Sequence, residues 1–98
     1  MIDQEGTQKR MEDLCETVIG EDEEKARGAL EEFLGGNPDK ILLLHAAKYC
    51  RFESVSIPLM DMISRRKDIT FLDVRSLCIH ARSSDVSAKA LTMFLVWD

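Results

Sequence analysis

Residues 40–60 read KILLLHAAKYCRFESVSIPLM, and the rest of the chain is organised around them. The stretch opens on Ile41-Leu42-Leu43-Leu44 and continues through His45-Ala46-Ala47. It breaks at Cys50-Arg51-Phe52 and restarts with Val55, Ile57, Leu59 and Met60. A run that is apolar on every side belongs inside a domain, because only neighbouring elements keep it from water. The reading is two short helices joined by a tight turn, with the first of them covered all round.

Outward from this centre the same unit recurs in weaker form. Met11, Leu14, Cys15, Val18 and Ile19 follow i, i+3, i+4, i+7, i+8, which predicts an amphipathic helix from about Gln8. Thr7 is its expected cap and Gly20 its stop. Glu21-Asp22-Glu23-Glu24 place carboxylates at the positive end of a second helix that runs to Leu34. Gly35-Gly36-Asn37-Pro38 ends that helix, with Asn37 expected as cap and Pro38 as first residue of the helix ending at Tyr49. The fourth helix, Glu53 to Arg65, contains Pro58, so it either starts late or bends there. Thr70 and Asp73 form a capping-box pattern ahead of a fifth helix with Val74, Leu77, Cys78 and Ala81 on one stripe. Ser84 is the expected cap of a sixth, which ends Phe94-Leu95-Val96-Trp97. No period-two alternation survives, so the fold class is all-α.

Helix starts near residues 8, 22, 39, 53, 71 and 85 repeat from hairpin to hairpin at about 31–32 residues, the spacing of helix–turn–helix repeats. The chain is thus expected to be six short helices in three antiparallel hairpins, with residues 1–7 a flexible terminus and 8–98 one helical domain.

Particular residues resemble the ankyrin repeat. Ala46-Ala47-Lys48-Tyr49-Cys50-Arg51-Phe52-Glu53-Ser54-Val55 is similar to that family's inner-helix end, tight turn and outer-helix start, and Leu44-His45 to its Leu-His signature. Lys67-Asp68-Ile69-Thr70 resembles the Ala-Asp-Ile-Asn turn, and His80-Ala81-Arg82-Ser83-Ser84-Asp85-Val86 repeats the first pattern. The Thr-Pro pair that opens an ankyrin repeat is missing, and residues 35–40 are too few for that family's projecting hairpin. The resemblance implies an ankyrin-like α-solenoid serving protein recognition. A compact six-helix bundle of death-fold type is the alternative architecture, and it implies the same class of function.

Composition narrows the function. At 98 residues, 45% apolar and 32% charged, the chain suits one folded domain. The polar, acidic N-terminus is neither a signal nor a transit peptide. Three widely spaced cysteines, Cys15, Cys50 and Cys78, read as free thiols in a reducing compartment, which predicts a cytoplasmic protein. The net charge of −5 is uneven: residues 1–36 hold eleven acids and four bases, residues 37–98 seven and nine. Overall acidity disfavours nucleic acid and anionic membranes as partners.

Chemistry is not legible. His45 and His80, each followed by Ala, match in position and are expected to be repeat architecture, bonding between hairpins, rather than metal ligands. His45 and Cys50 are five apart and Cys78 and His80 two apart, so neither pair shares a helical face, and no Cys-x-x-Cys, His-x-x-x-His, phosphate loop or nucleophile motif occurs. Neither catalytic nor cofactor residues are assigned, and the chain is not expected to be an enzyme. Two surfaces remain. Leu91, Phe94 and Trp97 belong to a last helix apolar on more than one face, with no polar capping helix after it. Such a helix is swallowed by a bundle, meets another chain, or continues in a longer protein. Self-association of an adaptor or scaffold through this helix is the leading expectation. Arg65-Arg66-Lys67, with Lys48, Arg51, Arg75 and Arg82, is the one cationic feature; hairpins stacked in parallel would gather Lys48, Arg51 and Arg82 on one edge, for an acidic partner or, alternatively, RNA phosphates.

Overall fold

Most of the helices start where the sequence supplies an oxygen to a free backbone N–H. The computed structural model describes residues 4–97, and among these the elements are α1 (Gln4–Val18), α2 (Glu23–Gly35), α3 (Lys40–Tyr49), α4 (Glu53–Arg65), α5 (Phe71–His80) and α6 (Ser84–Leu95). The protein is an all-α arrangement of six helices. Asp22 accepts from the Lys25 N–H at 3.1 Å, and Asp39 from the Leu42 N–H at 2.9 Å. Thr70 and Asp73 bond reciprocally, the capping box read from the sequence. Ser83, not Ser84, caps α6, taking the Asp85 N–H at 3.2 Å.

Several local expectations are corrected. α1 begins at Gln4, so Thr7 lies within the helix and does not cap it; residues 1–3 lie outside the described residues. Asn37 does not cap α3. It sits at φ 53°, the left-handed conformation that Asn tolerates better than most residues, and Asp39 takes the cap two positions later. Pro38 is consequently outside the helix, and buried. α4 starts on time and runs through Pro58, whose missing N–H leaves the Ser54 carbonyl without its helical donor.

Each hairpin folds on itself and then on the next. α1 packs on α2, α3 on α4, and α5 on α6; between hairpins, α1 meets α3 and α3 meets α5, while α2 meets α4 and α4 meets α6. Odd-numbered helices therefore form one row and even-numbered helices the other. Their ends keep register: Val18, Tyr49 and His80 close the odd row 31 residues apart, and Gly35, Arg65 and Leu95 close the even row 30 apart. Polar links cross between hairpins at related places. The Arg82 N–H donates to the Lys48 carbonyl at 2.7 Å, Arg51 Nε to the Ile19 carbonyl at 3.3 Å, and Ser54 Oγ to Glu23 at 2.7 Å. Lys40 pairs with Asp73 at 3.2 Å across α3 and α5. Phe33, Leu43, Leu59, Ile63, Leu77 and Val86 are fully buried between the rows.

The central helix is not covered all round. Leu43 is 0% exposed, but Ile41 is 76% exposed. In two rows α3 has neighbours at α1, α5 and α4, and its fourth side faces water.

Candidate interaction surfaces

The apolar surface collects at one end of the molecule. Lys89 and Met93 of α6 face α4, where with Ile57 and Met60 they wall a groove of about 330 Å³. At about 100° per residue, Leu91 and Leu95 lie on the other side of the helix, and Leu95 is 72% exposed. Phe94 turns toward α5 and stacks on Phe71 with ring centroids 4.6 Å apart; Trp97 meets the same ring edge-on at 6.5 Å. Leu72 and Ile79, seven residues apart and so on one side of α5, are also exposed, Leu72 by 67%. Among the described residues ten large apolar side chains are exposed. Seven belong to α5, α6 and Val96–Trp97 and none to α1 or α2, so the two ends differ in kind.

The eight residues singled out from the sequence do not form one site. Leu91, Phe94 and Trp97 share the apolar end, although Phe94 is half-buried under Phe71. Arg65, Arg66 and Lys67 stand at the α4–α5 junction. There Arg65 pairs with Asp61 at 3.2 Å, and Arg66 grips both oxygens of Asp68 at 2.8 and 2.7 Å while also donating to the Pro38 carbonyl. That bond holds the Asp68 carboxyl below the usual carboxylate range and raises the Arg66 guanidinium further. Arg51 and Arg82 stand at the turns within hairpins, Arg51 paired with Glu21 at 3.7 Å and bonded to Ile19.

Lys48 and the turn residues Arg51 and Arg82 lie at the edge formed by the C-terminal ends of the odd row. The same edge receives the N-terminal ends of the even row, with Asp22, Glu23, Glu53 and Asp85, so its charge is mixed. Between α3 and α5 lies a second groove of about 290 Å³, lined by Lys40, Ile41, His45, Lys48, Tyr49 and Ser76 among others. The His45 ring rests on Tyr49 at 4.8 Å, and the Lys48 ammonium is 5.8 Å from the Tyr49 ring centre. His80 is exposed at the end of α5.

Sequence reading missed Phe71, Leu72 and Ile79 as surface residues. A signal existed: α5 carries more apolar residues than the Val74–Leu77–Cys78–Ala81 stripe can place in one interface.

Cys15, Cys50 and Asp73 are held by their surroundings. Burial pushes the Cys15 thiol up to about 11, with Glu16 and Asp39 adding to the shift; Cys15 Sγ lies 3.7 Å from the Leu42 carbonyl. Burial likewise pushes Cys50 up to about 11, and its Sγ donates to the Ala47 carbonyl at 3.4 Å. Burial works to raise the Asp73 carboxyl. The Thr70 N–H, Lys40 and Thr70 Oγ outweigh it and hold that carboxyl below its ordinary value. Among the described residues no three His, Cys, Asp or Glu side chains converge as a metal would need.

No family model matches the chain, and comparison with curated proteins and with solved structures finds no match to either.

Proposed function

We propose that the protein is an intracellular protein–protein interaction module, an adaptor or scaffold that acts by binding and carries out no reaction. In this reading the three hairpins form an ankyrin-like α-solenoid. Support comes from helix ends recurring at 30 or 31 residues and from the packing of odd helices on odd and even on even. The observation that carries the function is the collection of seven exposed apolar side chains at the α5–α6 end, an area of the kind that marks association sites. Among the described residues no helix is long and apolar enough to cross a membrane. Free thiols at Cys15, Cys50 and Cys78 favour a reducing compartment, in keeping with the cytoplasm.

The test is differential capture. The immobilised wild-type protein and a Leu91→Glu/Leu95→Glu variant are exposed to one lysate, and the retained proteins are compared. Loss of specific partners from the variant supports the reading; identical sets from both refute it.

A second reading is an RNA- or nucleic-acid-binding helical factor. It is favoured by the 2.7 Å link that brings Arg82 beside Lys48, and by Lys40 and Lys48 on the rim of the α3–α5 groove. Binding of a random single-stranded oligonucleotide at low salt that weakens steeply as salt rises would support it. Absence of binding at low salt removes it.

A further inference from the structure

We infer that the apolar end is covered by a second copy of this chain, docked tail to tail about a two-fold axis through the α5–α6 hairpin. The inference rests on the interaction reading above and names its partner. Head-to-tail contact would press this face against α1 and α2, whose exposed side chains include Lys9, Glu12, Asp13, Lys25, Glu31 and Glu32. Burying those charges against Leu and Trp leaves them unsolvated and unpaired, which apolar contact does not offset. Among the described residues the one surface of matching character and size is the same face on another molecule, and a patch that fits itself makes a closed two-fold dimer.

Charge and area agree with that arrangement. The eleven acids and four bases of residues 1–36 go to the far ends of the dimer. The molecule is 44 Å in its longest dimension, several times the ~8 Å screening length at physiological salt, so the acidic ends do not oppose association. The exposed fractions of the seven side chains amount to about four whole ones, on the order of 600–800 Å² per partner at roughly 150–200 Å² each. Stable interfaces bury about 800 Å² per partner, so the face is large enough for a moderate, concentration-dependent dimer. Phe71, Phe94 and Trp97 supply an aromatic centre, the kind of group that carries most of the energy in such contacts.

Sedimentation equilibrium from about 5 µM to about 1 mM, on the wild type and on Leu91→Glu and Leu95→Glu separately, tests it. The wild type is expected to pass from monomer to dimer with a dissociation constant on the order of 10–100 µM. Each variant is expected to weaken the dimer at least ~10-fold, which is about 1.4 kcal/mol. Both positions are exposed, so melting of the variants at low concentration should stay within a few degrees of wild type. Amide shifts on dilution are expected to move in α5 and α6 and to stay fixed in α1. A wild type monomeric throughout, growth past the dimer, or a dimer indifferent to both substitutions overturns the inference. Of these, a monomer whose Leu91→Glu/Leu95→Glu variant loses captured proteins keeps the interaction reading and loses only the dimer. A monomer whose variant captures the same set loses both.

Discussion

Leu43 and Ile41 sit two residues apart in one apolar run, and the packing separates them sharply. Leu43 is 0% exposed on the helix that touches α1, α4 and α5, whereas Ile41 is 76% exposed on the open side of that helix. Leu43→Ala removes buried methyl groups and leaves a cavity in a well-packed interior, a loss of about 3 kcal/mol within a range of ~2–5. A domain of this size has roughly 5–15 kcal/mol to lose. At ~4–8 °C per kcal/mol, the melting temperature should fall by about 12–24 °C. Ile41→Ala forfeits only the quarter of the side chain that is covered. It also exchanges a β-branched residue for the best helix former, so its effect should stay within about 0.5 kcal/mol and can be favourable. Urea unfolding followed by far-UV circular dichroism, at about 5 µM so that self-association adds little stability, measures both. Costs for the two variants within about 1 kcal/mol of each other would refute the two-row arrangement, since it would mean that the outer side of α3 is covered.

Three further outcomes are expected. Asn37→Ala should cost about 1 kcal/mol, and Asn37→Gly should be neutral or stabilising, because the backbone there is left-handed at φ 53°; equal urea midpoints for the two would contradict that geometry. Asp73 is held ionised, so its contribution is fully present above about pH 5 and is lost as pH falls through and below the ordinary carboxylate value near ~4. Asp73→Asn should lower stability at neutral pH by about 1 kcal/mol and flatten the midpoint's fall between about pH 5 and 3 relative to wild type. With thiols at about 11, Cys15 and Cys50 are almost wholly protonated at pH 8, so a thiol reagent should label the partly exposed Cys78 first. Three equal labelling rates would show the core opening faster than the reagent reacts.

Local signals written in a few residues were legible. The helices, the turn at residues 35–38, the Thr70–Asp73 box and the near-31-residue recurrence all follow from periodicity and caps. What failed was competition between adjacent candidates. Asn37 and Asp39 can both cap a helix, as can Ser83 and Ser84, and tertiary packing chose between them. The burial of α3 was over-read because an apolar run shows how much of a helix is greasy but not how many neighbours it has. The partners of the cations were not legible for a related reason. Arg51 and Arg66 bond to carbonyls 32 and 28 residues earlier, partners that sequence proximity does not reveal.

The proposal of binding rather than catalysis rests on how the side chains divide their labour. Helices of ten to fifteen residues bring a terminus into play after every few turns, and each terminus leaves backbone groups in need of partners. Asp22, Asp39, Thr70, Asp73 and Ser83 are taken up as caps, Arg51 and Lys40 tie one hairpin to the next, and Arg66 joins the segments on either side of the α3–α4 hairpin. Cys15 and Cys50 are sealed in the core as protonated thiols. The largest exposed apolar group is the Phe71–Phe94–Trp97 cluster with Leu72, Ile79, Leu91 and Leu95 beside it. The outer side of α1 and α2 is polar, whereas this face is apolar. On the proposed reading, an end that is apolar where the other is polar is the end that another protein surface covers.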